Sequence, residues 1–148
     1  VKEYPFNEEL AKELIKKNIT ASEGGTLKMA TFYDYIDVAE DIKHSYESVG
    51  AKVDLKVAQG VPDEYDFFVA AWSPPTDPDQ YFFWHSTQVG TNITKLDNKK
   101  VDKLLEDGRK FLNVKQRQSI YKDFQKTIAD EIPAYFMYHP FEYVVQRD

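Results

Sequence analysis

The chain contains no cysteine, which removes disulfides, cysteine-based zinc sites and thiol catalysis together. It also lacks a concentrated basic run: its 19 Lys and Arg are interspersed with 25 Asp and Glu, for a formal net charge of −6. Binding nucleic-acid phosphates needs a cationic face, so no nucleic-acid partner is expected. No apolar stretch approaches the about 20 residues of a membrane-crossing helix. Nucleophile-elbow, phosphate-loop and metal-helix motifs are missing as well. The acids fall as helix caps and surface charges, and nothing marks two of them as the paired carboxylates of a glycosidase. An enzyme is therefore not expected, nor a cofactor or a bound metal. The chain opens without Met or a signal segment, on Val1-Lys2-Glu3-Tyr4-Pro5, so a processed protein or an excised domain is expected.

Aromatic residues are plentiful, with ten Tyr, ten Phe and two Trp among 148 residues. That bulk suits one domain over 1–148 with a real core. Asn7 caps a first helix carrying Leu10, Ala11, Leu14 and Ile15 as a stripe, which ends near Asn18. A strand follows over Thr26–Phe32, then Asp34 as a cap. A helix with Val38, Ala39, Ile42, Tyr46 and Val49 comes next, with Gly50 as its stop. A second strand over Ala51–Val57 completes a βαβ unit with a parallel strand pair. The run Tyr65–Trp72 reads as a strand buried on both faces. It breaks at Pro74-Pro75 into a short helix carrying Tyr81, Phe82, Phe83 and Trp84. Asn98 caps a helix with stripe Val101, Leu104, Leu105, Gly108 and Phe111. Asn113, with Gln116 as a capping box, opens another that carries Ile120, Tyr121, Phe124 and Ile128. Pro133 ends it, and Ala134–Tyr138 reads as a last strand. The fold class is α/β: a layered sandwich with a mostly parallel sheet flanked by helices. A strand end that breaks into an aromatic helix puts polar backbone and flat side chains at the carboxyl edge of the sheet, where open α/β folds bind ligands.

Several motifs occur in order. W-S-x-x-x-D-P-D-Q-Y-x-x-W-H-S starts at Trp72 and G-x-N at Gly90. N-x-x-V-D-x-L-L-x-x-G-R-K starts at Asn98 and Q-R-x-x-I-Y-x-x-x-Q-x-x-I at Gln116. This succession resembles the family 5 extracellular solute-binding proteins, the peptide, nickel and oligosaccharide receptors of ABC importers. The resemblance covers nearly the whole chain and is strongest between Tyr65 and Tyr138. It implies one lobe, the second, of a two-lobed binding protein of the periplasmic type II fold. Such a protein is expected to be a monomer that closes on its ligand by hinge motion and delivers it to permease subunits. The implied location is the outer face of the cell envelope or the periplasm, with membrane attachment only through a lipid anchor outside this chain or through the permease. Oligopeptides are the first expected ligand and oligosaccharides the second. A sensory or chaperone-like interaction domain is the alternative from another class.

The ligand-contacting residues implied are Ala71, Trp72, Ser73, Asp77, Tyr81, Trp84 and Asn92. Each also has a plainer reading. Trp72 stacks on a ligand or closes the core beneath the proline corner, and the first is favoured. Asp77 anchors a ligand ammonium group or caps the aromatic helix, with Pro78 in the first turn and Gln80 closing a capping box; here the second is favoured. Peptide-binding members of the family carry an acid three residues after the tryptophan, to hold the peptide's α-ammonium group, whereas this chain has Pro75. Tyr81 and Trp84 share a helical face, and Trp84 is expected to look into the cleft. Asn92 offers donor and acceptors to amides or hydroxyls, although Asn is also an ordinary turn residue. His85 reads as a hydrogen-bonded surface or cleft histidine, and Arg109 and Arg117 as solvated ion-pair partners.

Overall fold

The computed structural model describes residues 4–19, 25–139, 141 and 144–146. Backbone contacts group the chain into two compact units, one running to Pro74 and the other from Pro75 onward. The sequence reading of one domain is coarser than this grouping.

In the first unit, α1 (Glu8–Asn18) starts where the Asn7 side chain accepts the Leu10 amide at 2.9 Å. Acids in its first turn and lysines in its last complement the helix dipole. Strand β1 (Thr26–Thr31) leads through a short 3-10 turn at Tyr33–Tyr35 into α2 (Ile36–Ser48) and then β2 (Lys52–Val57). Helix α2 ends in a Schellman motif: Gly50, at φ +95°, donates to the Glu47 carbonyl, and Ala51 to that of Tyr46. Both neighbours of β1 are parallel to it, in the order β2-β1-β3. Met29, Ala39, Val53 and Val69 form the core between sheet and helix, with Ile42, Tyr46 and Phe67 against it.

Two expectations need correction here. Strand β3 (Phe67–Val69) is three residues long and lies at the sheet edge. The apolar run Tyr65–Trp72 therefore does not form a long strand buried on both faces. Its aromatics instead divide between two partners: Phe67 meets Tyr46 at 4.9 Å, while Phe68 meets Phe32 at 5.1 Å and Tyr65 at 5.5 Å. Asp34 does not cap α2, because it falls within the 3-10 turn, one residue before the capping position, which Tyr35 takes without a side-chain bond.

In the second unit, the four-residue helix α3 (Tyr81–Trp84) precedes α4 (Lys99–Lys110) and α5 (Val114–Glu131). Asn98 and Asn113 cap the two long helices, each side chain accepting two backbone amides. Residues 111–113 leave room only for a tight reversal. Accordingly Arg117, early in α5, donates to the Gly108 carbonyl late in α4. Asn98, before α4, donates to Glu131 at the end of α5. The helices thus run antiparallel, with Trp84, Val101, Leu105, Tyr121, Phe124 and Ile128 between them and α3. Helix α5 stops ahead of Pro133. Ala134–Tyr138 forms no strand, and Tyr135 and Tyr138 are 79% and 64% exposed. A β-prone run becomes a strand only when a ladder partner lies alongside, and sequence composition cannot supply one. A tail over 141–148 is what the sequence suggests after Tyr138, and it lies partly outside the described residues.

Candidate ligand-binding site

In the first unit, the chain leaves β1 toward β2 on one side and then crosses back to place β3 on the other. The two connections diverge between the carboxyl ends of β1 and β3. Such a topological switch point is where parallel sheets open a crevice for ligands. The edge is well braced. Thr31, fully buried, donates its hydroxyl to the Val69 carbonyl at 3.0 Å, and its own carbonyl accepts the Ala58 amide at 2.8 Å. Beyond this brace Ala71, Trp72 and Ser73 emerge exposed, Trp72 at 39%, and Tyr33 stands 76% exposed after β1. A large indole with this much surface in water, just past the end of a strand, is suited to contact by another molecule.

The other four candidates belong to the second unit, where they are tied to its own framework. Asp77 is held by the Arg117 guanidinium, with contacts of 2.8 and 3.3 Å, and also accepts the Asp79 amide at 2.9 Å. Arg117 first, and the Asp79 amide second, hold the Asp77 carboxyl below the usual range. The reciprocal effect pushes the Arg117 guanidinium up. The capping box expected at Asp77 does not form. Asp79 serves at the helix start instead, accepting the Tyr81 amide at 3.0 Å while pairing with Arg109 at 2.7 Å. A short helix leaves no room for two acids to cap it, and the acid nearer to it takes the amide. Both arginines are thus ion-pair partners, as their positions on helices suggested.

Tyr81 is half-buried, with the Arg109 guanidinium 3.9 Å from its ring centre and the His85 ring stacked on it at 4.0 Å. Trp84 does not look outward. It is 6% exposed, with its ring against Phe124 and Phe136. On a single helical turn the face that meets α4 and α5 has to be filled by the largest ring available. Asn92 is also buried, donating to the Leu96 carbonyl at 2.9 Å and accepting the Thr94 hydroxyl at 2.8 Å. Its side chain is occupied in closing its own loop. His85 is buried rather than at the surface.

Sequence reasoning passed over Asp102. It is 7% exposed and accepts both the backbone amide of Ser86, at 2.8 Å, and its hydroxyl, at 2.7 Å. Burial alone would raise its pKa, but the Ser86 hydrogen bonds, with His85 and Lys99 nearby, win and lower it. Its position beside Val101 on the apolar stripe was the available signal. Among the described residues no group of His, Asp and Glu is arranged to hold a metal ion.

No protein-family model matches the chain. The oligopeptide-binding protein AppA of Bacillus subtilis is 30% identical over 115 residues, an alignment taking in 70% of this chain and 21% of AppA. The solved structure of AppA in complex with a nonapeptide superposes with a TM-score of 0.73 at 25% identity. It covers 90% of this chain and 31% of AppA. The ABC transporter substrate-binding protein CtaP of Listeria monocytogenes superposes equally well, with a TM-score of 0.73 at 25% identity over 88% of this chain and 29% of CtaP. The chain therefore spans about a fifth to a third of the length of these relatives.

Proposed function

We infer, from homologues and structural neighbours that are family 5 solute-binding proteins and match most of its length, that this chain is one ligand-holding lobe of an importer's receptor. The observation that carries the reading is the exposed Trp72 beside the switch-point edge of the parallel sheet. The ligand we assign is an extended oligopeptide. Backbone groups of Ala71 and Ser73 at the end of a strand suit a peptide's own backbone, and the Trp72 face covers a side chain with little loss of conformational freedom. Asp77, Tyr81, Trp84 and Asn92 act by fixing the loops of the second unit. Asp77 is committed to Arg117 and Asp79 to Arg109, so a peptide's ammonium group finds its charge partner elsewhere or is not required. The whole receptor closes by hinge motion as a monomer outside the cytoplasmic membrane and passes its ligand to permease subunits, without chemistry of its own.

A second reading, an oligosaccharide ligand, is favoured by the exposed aromatic faces of Tyr33 and Trp72. A thermal-shift screen of the parent protein against peptide mixtures and oligosaccharides separates the two. Ligand at a hundredfold excess over its Kd stabilises by about 2.7 kcal/mol. Peptides are expected to raise the Tm, blocked amino termini to matter little, and Trp72→Ala to abolish the shift. A Tm raised by sugars alone overturns the peptide assignment. A peptide shift that survives Trp72→Ala unchanged overturns the site.

A further inference from the structure

His85 is 4% exposed just after α3 and takes no part in the proposed ligand contacts. One face of the Tyr81 ring carries His85 at 4.0 Å and the Arg109 guanidinium lies 3.9 Å from the same centre. Two groups this close cannot share a face, so Tyr81 is sandwiched. The His85 Nδ1 atom accepts the Thr87 backbone amide at 3.2 Å and lies 2.9 Å from the Thr87 hydroxyl. An accepting Nδ1 places the proton of a neutral imidazole on Nε2. That Nε2 is buried and meets no hydrogen-bond partner among the described residues. The Glu106 carboxylate stands 3.6 Å away, just too far, and the Asp102 carboxylate is 3.8 Å from Nδ1. Helix α4 thus presents two acids to the ring. Lys99 lies 3.7 Å from Asp102 and Lys110 3.8 Å from Glu106. Arg109, beyond Tyr81, is already paired with Asp79. The loop contributes only the neutral Ser86 and Thr87.

We propose that His85 is a proton-operated latch on the loop 85–92. Neutral, it holds the loop by accepting the Thr87 amide; protonated, it releases that amide, donates from Nδ1 to the Thr87 hydroxyl and turns Nε2–H to the Glu106 carboxylate of α4. One proton taken from solvent binds Nδ1 and turns an acceptor into a donor, so the bond from the Thr87 N–H cannot persist. The imidazolium then has two N–H donors: Nδ1–H meets the Thr87 hydroxyl oxygen at 2.9 Å, with the Asp102 carboxylate 3.8 Å from the same nitrogen, and Nε2–H faces the Glu106 carboxylate at 3.6 Å. Glu106 is half exposed on a flexible side chain and closes its gap by changing rotamer. The His85 carbonyl accepts the Gln88 amide at 2.9 Å and the Asn92 side chain at 3.4 Å, and the Thr91 hydroxyl bonds the Phe82 carbonyl. Movement at His85 is thereby passed along the whole loop. The latch is independent of the ligand assignment and operates in the unliganded chain.

The test follows the ring nitrogens of His85 and the Thr87 amide by nitrogen-15 NMR between about pH 8 and pH 5, the range in which histidines change charge. At high pH the ring is expected as the Nε2–H tautomer. As it takes up a proton, the Thr87 amide shifts with the same midpoint. Its exchange protection, corrected for pH, falls about tenfold or more. His44, with an exposed side chain, serves as an internal control whose titration leaves Thr87 unmoved. In Glu106→Gln, which keeps the fold but removes one acid, the midpoint moves to lower pH. A His85 that stays neutral throughout overturns the latch, as does a Thr87 amide that ignores its titration.

Discussion

The close approach of α4 to α5 turns on a missing side chain. A Cβ built on Gly108 would stand 2.7 Å from both Cζ and the hydroxyl oxygen of Tyr121, closer than real Cβ contacts come. Tyr121 is 5% exposed and wedged edge-on against Phe124, so its ring has nowhere to swing. In an open helix, exchanging Gly for Ala gains about 1 kcal/mol. Here overpacking of about 1–3 kcal/mol opposes that gain, and with a rigid ring in contact the clash wins. Gly108→Ala is expected to lower the urea midpoint at unchanged m, a net loss of up to about 2 kcal/mol. In a Tyr121→Phe background the loss shrinks, because the hydroxyl contact is gone while the Cζ contact stays. A Gly108→Ala variant as stable as the parent would mean that α4 and α5 pack less closely than described. Gly108 was legible as a small residue on an apolar stripe; the ring it faces, thirteen positions on, was not.

At the scale of elements, what sequence reading recovers depends on how far away the deciding partner is. Asn7, Asn98, Asn113 and Gly50 do their work within four residues of themselves, and all four were read from local spacing. Which acid meets which arginine is decided thirty and forty positions away, at Asp79 with Arg109 and Asp77 with Arg117, so the choice between Asp77 and Asp79 as the acceptor at α3 was not legible. The same limit explains β3 and the segment 134–138, whose apolar composition is strand-like but whose hydrogen bonding depends on a neighbour. It also explains Trp84 and Asn92, whose types suit a ligand as well as they suit a core or a turn. The cap reading carries its own test. Asn98 and Asn113 stand at the starts of antiparallel helices, separated by the length of α4, 12 residues or about 18 Å. Asn98→Ala and Asn113→Ala are each expected to cost about 1 kcal/mol. Asn98→Ala should cost slightly more, because its side chain also donates to Glu131 at 3.0 Å. At that distance the two losses should add within about 0.5 kcal/mol in the double variant. A strongly sub-additive result in urea titrations would indicate that one helix is already frayed when the other cap is lost.

For the molecule as a whole, the response to pH follows from shifts of opposite sign. Asp77, Asp102 and Asp107 have carboxyl pKa values lowered in the folded chain. The stability they contribute is present above the ordinary carboxylate pKa of about 3.9 and is lost as pH falls through their folded values. Lys12, Lys28, Lys99 and Lys103 are raised by their carboxylate partners. Their contribution is complete below about 10.4 and is lost as pH rises through their folded values. The expected stability curve is a plateau between these limbs, and the limbs are not equally robust. The lysines are exposed, as is Asp77 in large part, and Asp107 is paired with the exposed Lys103; salt screens such pairs. Asp102, itself 7% exposed, is held by part-buried hydrogen bonds from Ser86, which salt weakens less. Raising ionic strength should therefore flatten the alkaline limb while leaving much of the acid limb in place. Asp102→Asn should remove most of what then remains of the acid limb. Urea midpoints measured across the pH range at low and high salt, for the parent and for Asp102→Asn, decide the matter. An acid limb that disappears with salt in the parent would assign acid unfolding to the surface pairs and leave Asp102 without the part given to it here.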